Sequence, residues 1–509
     1  AKTNLDAGQQ SLDVGTATDA SSTDPDVGVD TNEAVGKVWN VLVYMAADNN
    51  LEANGIDDIK EMMAVTASKN IVFHIQTDRA EEFYELGLGN LKNWTNTLRL
   101  QLANGKLTQT ADIGEVNMGK QESLQDFITW GLGATKADRH MLILWNHGEG
   151  WRGFGVDDFD KDHLTLAEMV TATEKGLAEA KLERFDIFGF DACLMGDLQV
   201  LHALRGTTDF FVASQDLEPA HGWNYASFEA VVDDPDIEPA ELASTIVTGF
   251  RKQALKNDTW MSVTLAAIRA DKIDAVMKAF VTFSKAAEGK MVGPSGKPDA
   301  NRQMLQRLGN VRSKMQRFGR SADPAHDYQM VDLADLTKRI AVQDDTLAAV
   351  AKDVSDAIAA AVVKRIKGPL TKASTGFSIY FPSLQEEYLE EFDQVALSGP
   401  WREVLKTFYG GGKEAASKTP KFHAKSCAGC VVGTPEVKTE CVDGLVQATH
   451  ALTPESVKHV VKAELYVGYE REDGSFEAYT KTPAVVSDTG KVESKWSQHL
   501  LVVRQGANV

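Results

Sequence analysis

Phe185–Gly196 reads FDIFGFDACLMG, and upstream of it Trp-Asn-His-Gly closes another apolar stretch, MLILWNHG, at Met141–Gly148. Each segment begins as a short, nearly unbroken apolar run and turns polar or helical after it. Runs of that kind belong to parallel strands covered on both faces by helices. Val38–Met45 (VWNVLVYM), Ile71–Thr77 (IVFHIQT), Phe210–Ala213 (FFVA) and Phe377–Phe381 (FSIYF) repeat the pattern. Between the two quoted segments, Thr165 and Glu168 form a capping-box signature. Leu166, Met169, Val170, Thr173 and Leu177 then recur at helical spacing. Strand, helix and strand make a βαβ unit, and the fold class is α/β with a mostly parallel sheet.

That reading places His147 and Cys193 at the carboxyl edge of the sheet, where open α/β sheets bind their ligands. A thiol needs a neighbouring imidazole to take its proton before it can act as a nucleophile at neutral pH. Alone, a strand-end cysteine is a small packing residue and a loop histidine is inert. A lone Cys with a His 46 residues upstream, both at strand ends beside glycine, is instead the pattern of a cysteine peptidase. Gly148 has no side chain to obstruct a substrate carbonyl, so its N–H and that of Cys193 are candidates for an oxyanion hole.

The 509 residues carry 53 Lys and Arg against 73 Asp and Glu, a net charge of −20. Such a chain repels phosphate backbones, so nucleic acid is not an expected partner, whereas cationic peptides are attracted. No stretch approaches the roughly 18 apolar residues of a membrane span. Residues 1–36 read as a disordered acidic tail, with seven acidic residues against Lys2 and no aromatic residue. The absence of Met at position 1 fits a removed or omitted leader, and export is the expectation. Residues 37–412 are the expected main domain, mostly helical from about 230 to 370. There Val350, Val354, Ile358 and Val362 mark an amphipathic helix over Leu347–Lys367. Gly410–Gly412 is expected to break the chain before a small β-rich domain over 413–509.

VWNVLVYMAADNNLE (Val38–Glu52), WNHGEGW (Trp145–Trp151), GFDACLMG (Gly189–Gly196) and SIYFP (Ser378–Pro382) resemble the clostripain family of cysteine endopeptidases, in the clan of caspases, gingipains, legumains and separase. The resemblance runs from about Val38 to Tyr409. It implies a caspase-like sandwich with a helical insertion, an exported bacterial enzyme, secreted or tethered at the cell surface, and cleavage of proteins or peptides after Arg or Lys. It also implies activation from a zymogen by self-cleavage. His147 and Cys193 match the family's dyad, and Asp191 matches the position that receives the basic P1 side chain. A carboxylate there suits a guanidinium; the plain alternative is an Asp that only binds backbone. Ser214-Gln215-Asp216 departs from the Ser-Glu-Glu of many relatives, while Asp216 and Glu218 keep the region acidic.

Lys161, 14 residues after His147, is the only basic residue between Arg152 and the helix beginning near Leu166. It is the expected self-cleavage site. Asp157, Asp158, Asp160 and Asp162 around it read as a solvated loop without EF-hand spacing. No metal is assigned and no cofactor is required, although some relatives use calcium and the chain leaves room for it. Cys427, Cys430 and Cys441 read as a structural disulfide with a spare thiol, His423 being the nearest candidate metal ligand. Two rivals stand against the peptidase reading: a catalytically idle surface-binding protein of the same fold, and a thiol-redox protein using Cys427–Cys430.

Overall fold

A computed structural model describes residues 35–291 apart from 81–86 and 90, and residues 308–416 apart from 310, 313, 321–326, 343, 384 and 396–398. It also describes strand segments between 438 and 496. Its strands, in chain order, are β1 (Trp39–Ala47), β2 (Ile71–Arg79), β3 (Leu98–Ala103), β4 (Lys106–Asp112), β5 (Arg139–Trp145), β6 (Phe154–Asp157), β7 (Asp162–Leu164), β8 (Phe185–Asp191), β9 (Thr208–Ala213), β10 (Thr264–Arg269), β11 (Arg317–Phe318), β12 (Met330–Asp332), β13 (Val362–Lys367) and β14 (Ser378–Tyr380). The helices that cover them are α1 (Glu52–Ala64), α2 (Gln121–Gly133), α3 (Leu166–Glu179), α4 (Leu198–Leu204), α5 (Glu229–Asp233), α6 (Pro239–Lys256), α7 (Ile273–Met291), α8 (Leu333–Val342), α9 (Ala348–Ala361) and α10 (Gly399–Ala416).

One nine-stranded sheet, ordered β13-β10-β9-β8-β5-β1-β2-β3-β4, runs through the molecule. Its centre, β9-β8-β5-β1-β2, is parallel, and the pairs at both margins are antiparallel. Every residue of β1 and β2 is buried, as expected of strands enclosed on both faces. Alternate side chains enter two separate cores. Val41, Val43, Ile143 and Ile187 pack with Ile56 and Ile59 of α1 and Ile246 and Phe250 of α6. Leu42, Leu142, Leu144 and Phe188 pack on the other face with helices α2, α3 and α7. The capping box is formed as read: Thr165 accepts from the N–H of Glu168, whose carboxylate accepts from the N–H of Thr165.

At four places the structure adds to or corrects the reading from sequence. Between 230 and 370 the described chain is mostly helical as expected, and β10 and β13 from this region also extend the central sheet. The amphipathic helix ends at Ala361, where β-branched Val362 and Val363 begin an edge strand. Its Lys364 and Arg365 are exposed, a charged edge that resists pairing with another chain. Phe377–Phe381 joins a three-stranded antiparallel sheet, β11-β12-β14, and not the central one. The glycine run does not break the chain either: α10 continues through Gly410–Gly412 to Ala416. Each glycine costs a helix about 1 kcal/mol against Ala, but the preceding turns are anchored by buried Trp401, Val404, Leu405 and Phe408.

The described segments beyond 438 are all strands, paired antiparallel. No helix among the described residues is long and apolar enough to cross a membrane.

Candidate active site

The parallel pairing of β5 with β8 sets Trp145 beside Asp191. His147 and Cys193 each follow two residues later, so both leave the same edge from adjacent strands. The two loops interlock at Gly148. A Cβ there would stand 2.2 Å from the carbonyl oxygen of Cys193 and 3.0 Å from Met195, so only glycine fits. The N–H groups of Gly148 and Cys193 donate no hydrogen bond among the described residues, while those of Asn146, Glu149 and Leu194 are taken by Asp191, Gly153 and Asp216. Two adjacent donors are thus left unspent, as an oxyanion hole requires. Leu194, next to the thiol, is held at φ +67°, a left-handed conformation costing roughly 1–2 kcal/mol in a non-glycine residue. Its buried side chain and its bond to Asp216 hold it there.

His147 is half-buried, and its Nε2 lies 2.8 Å from Oδ1 of Asn50. An amide oxygen can only accept, so Nε2 carries the proton and Nδ1 is left as the base. Burial holds the imidazole below its ordinary pKa, which favours this neutral form at pH 7. Asn50 is placed by its neighbour: Asn49 Nδ2 donates to the carbonyls of Ala46 and Val156 and to Asn146 Oδ1. Asn146 Nδ2 donates to Val156 as well. This buried amide network ties the end of β1 to the His147 loop and to β6.

Cys193 Sγ accepts from the N–H of Glu218 at 3.2 Å. The thiol is bonded to Glu218 and the imidazole to Asn50, not to each other. Burial and the negative charges of Glu218, Asp216 and Asp191 push the thiol up to about 12, against which the Glu218 N–H acts in part. It rests protonated.

Asp191 does more than tie down backbone. Its carboxylate accepts from the N–H of Trp223 at 3.2 Å and from the hydroxyl of Tyr225 at 2.9 Å. Asp58 of α1 stands on the same side, taking the indole N–H of Trp145 at 2.7 Å. Glu218 faces Asp191 and the indole of Trp223, with both of its carboxyl oxygens buried. Gly222 leaves room between the acids, since a Cβ there would meet Asp58 at 2.9 Å and Asp191 at 3.1 Å. None of these three carboxyls has an ion-pair partner among the described residues. Burial raises Asp191 to about 7, and burial with mutual repulsion raises Asp58 and Glu218 well above the carboxylate range. Glu61 adds a fourth negative charge.

Gln215 is turned away from this group, bonded to Asp332, Ser374 and Gly376. Asp216 binds the N–H groups of Leu217 and Gly319. The second acid beside Asp191 is therefore Glu218. Lys161 is exposed at the turn between β6 and β7, with φ +54°, and makes no ion pair with Asp191 among the described residues. The acids flanking it are engaged: Asp157 binds the N–H groups of Met118 and Asp160, and Asp162 binds Asn117. Arg152 pairs with Glu149 and lies over the ring of Tyr328. Cys427, Cys430 and His423 fall outside the described residues, and Cys441 lies on the strand Lys438–Val442.

The model of the clostripain family matches residues 43–407. Clostripain of Hathewaya histolytica is 28% identical over 223 residues, a match covering 38% of this chain and 42% of that protein. The chain thus matches about two-fifths of the length of this curated relative. Among solved structures, a secreted C11 cysteine protease from Bacteroides thetaiotaomicron in complex with an irreversible peptide inhibitor superposes with a TM-score of 0.51. It is 19% identical, over 72% of this chain and 99% of that one. An inactive zymogen C11 protease from Parabacteroides distasonis gives 0.52 at 19% identity, over 74% and 99%. These two likenesses speak to the fold.

Proposed function

This chain belongs to the clostripain family of cysteine peptidases, and from that premise we propose an exported endopeptidase that cleaves after Arg or Lys, with Cys193 as nucleophile and His147 as general acid and base. The observation that carries the specificity is the group of buried carboxyls, Asp191, Glu218 and Asp58, which lacks a cation and adjoins the thiol. A buried acid cluster without a counter-ion is costly, and a guanidinium or ammonium entering beside Trp223 and Tyr225 relieves it.

The chemistry follows from the atoms. The substrate cation offsets the charges that keep the thiol protonated, so Cys193 gives its proton to Nδ1 of His147 and the thiolate attacks the scissile carbonyl. The N–H groups of Gly148 and Cys193 receive the oxyanion. The imidazolium, held by Asn50, protonates the leaving amine, and water then hydrolyses the acyl-enzyme. Thiol and imidazole must draw together on substrate binding; catalytic hydrogen bonds of this kind tighten only with substrate present.

Self-cleavage after Lys161 belongs to the same reading. An exposed turn between two short strands can be cut without disturbing the sheet. The decisive experiment compares wild type with Cys193→Ala on fluorogenic peptides bearing Arg, Lys or an uncharged P1 residue, with N-terminal sequencing of the proteins. The expected outcome is turnover of Arg and Lys peptides, at least 10³-fold lower in Cys193→Ala, and a wild-type fragment starting at Asp162 while the variant stays a single chain. Residual turnover above about a tenth in Cys193→Ala would overturn the nucleophile. A fully active, intact wild type would overturn Lys161. No turnover by wild type would return the reading to a catalytically idle binding protein.

A further inference from the structure

The strand order β13-β10-β9-β8-β5 fixes how a peptide lies along the edge that presents His147 and Cys193. On the peptidase reading, on which this inference rests, the leaving amine meets His147 beyond β5. The residues before the scissile bond therefore run the other way, across the ends of β9, β10 and β13. Three loops meet them there. The N–H groups of Gln215 and Asp216, after β9, donate to Oγ1 of Thr264 at 3.1 and 3.0 Å. The ring of His221 is hydrogen-bonded to the hydroxyl of Thr259 at 2.8 Å. The N–H of Gly368, after β13, donates to the carbonyl of Val263 at 2.9 Å, and that of Leu370 to the carbonyl of Met261 at 2.8 Å. Segments 215–221, 259–264 and 368–370 thus lie side by side, and the first reaches the thiol through the N–H of Glu218.

Among the described residues nine large apolar side chains are exposed, and three of them stand one on each loop: Leu217 at 43%, Met261 at 44% and Leu370 at 54%. Single exposed apolar residues need no explanation, but three on adjoining loops beside a reactive thiol form a patch with something to recognise. Trp260 and Val263, next to Met261, pack in the core that also holds Trp223 and Tyr225. The loop carrying Met261 is therefore rooted on the same face of the sheet as the acid pocket.

An extended peptide rises about 3.3 Å per residue, and its side chains alternate between two sides. The residue two before the scissile Arg or Lys points the same way as that Arg or Lys and lies about 6.6 Å farther on. Neighbouring strand ends are about 4.8 Å apart, so this distance, counted from Cys193 after β8, falls between the ends of β9 and β10, where Leu217 and Met261 stand. We propose that Leu217, Met261 and Leu370 form an apolar subsite for the side chain at P3, the third residue before the scissile bond, and that large aliphatic or aromatic residues are preferred there. The chain itself carries such a residue: Phe159 is 65% exposed and occupies P3 of the self-cleavage site proposed at Lys161.

The test uses acetyl-X-Ala-Arg peptides with Phe, Leu, Ala or Asp at X. Aminomethylcoumarin amides report turnover by wild type, and plain carboxamides report calorimetric binding to Cys193→Ala. kcat/KM should be about tenfold higher for Phe than for Ala, the effect of partly burying an aromatic ring, and affinity should follow the same order. Leu217→Ser, Met261→Ser and Leu370→Ser should each lower the Phe-to-Ala ratio, the first two by about threefold or more. Val363→Ser, on an exposed residue at the far end of β13, should leave the ratio in place. Each ratio is taken within one protein, so a change in the active fraction cancels. Turnover with equal kcat/KM for Phe and Ala would overturn the subsite and leave the peptidase reading standing. A Phe preference that survives all three loop substitutions would also overturn it. Absence of turnover, with tighter binding of the Phe peptide that Leu217→Ser and Met261→Ser remove, would support the subsite and overturn the peptidase reading. Absence of turnover with equal binding would overturn both.

Discussion

Asp191 and Asp78, the latter with Asp48 and Glu115 beside it, stand at the ends of parallel strands on one sheet edge, both buried, and their surroundings differ. Asp191 receives the backbone N–H of Trp223 and the hydroxyl of Tyr225. Those donors fix the plane of the carboxylate and leave lone pairs in set directions, as a forked guanidinium needs. Asp78 receives a single backbone N–H and keeps one oxygen bare. Aromatic walls surround the first group and an exposed glutamate opens the second. The contrast teaches that an acidic cluster is read by the donors already attached to it.

The largest effect that could break this contrast is on substrate choice. Asp191→Asn should lower kcat/KM for Arg and Lys substrates by roughly 2–5 kcal/mol, a factor of about 30 to 5000, through loss of a buried charge pair. Uncharged P1 substrates should lose little. Paired kcat/KM measurements decide it, and equal losses would make Asp191 a structural residue of the same standing as Asp216.

A smaller effect concerns the residue between the two groups. Asn50→Ala should reduce kcat about tenfold with KM nearly unchanged, because it frees the imidazole to take the other tautomer without touching the acid pocket. It should also shift the acid limb of the kcat profile. A change in KM alone would place Asn50 with substrate binding.

The smallest effect isolates the electrostatics. Burial, and after it the negative charges around Asp191, hold the Cys193 thiol well above its usual range, so a cation in the pocket offsets the charges, favours the thiolate and moves that titration downward. Argininamide should therefore speed alkylation of Cys193 by iodoacetamide several-fold at pH 8 and shift the rate–pH curve to lower pH. Slowing by argininamide would mean that the pocket and the thiol are not electrostatically joined.

The parallel centre of the sheet was legible because β1, β2, β5, β8 and β9 are largely enclosed and hence carry short apolar runs. Strands β4 and β13 were not, since half their residues face solvent and carry Lys, Arg, Thr or Gln. His147, Gly148, Asp191 and Cys193 could be read because each follows its strand by a fixed, short count of residues. Asp58 and Asn50 could not, and Glu218 could be read only with Asp216 as an acidic stretch, not as the acid facing Asp191. They reach the site from after β9, from the first turns of α1 and from the end of β1, and no local pattern relates those segments. The NN of ADNNLE held the signal for Asn49 and Asn50, but two adjacent amides also describe an ordinary turn. The thiol's bond to Glu218, in place of His147, depends on how loops pack, which periodicity does not encode.

The turn at Lys161 divides the central sheet along a line inside it. The piece ending there contains β1 to β5, and the remainder contains β8, β9, β10 and β13. The seam is the β5–β8 pairing from Met141–Ile187 to Trp145–Asp191, buried on both sides. His147 lies on one piece and Cys193 on the other. A cut at this turn yields halves that hold each other by a fully apolar core, and neither half alone contains a dyad. Produced separately, the two pieces would form a split enzyme, in which peptide turnover reports their complementation and rises with concentration.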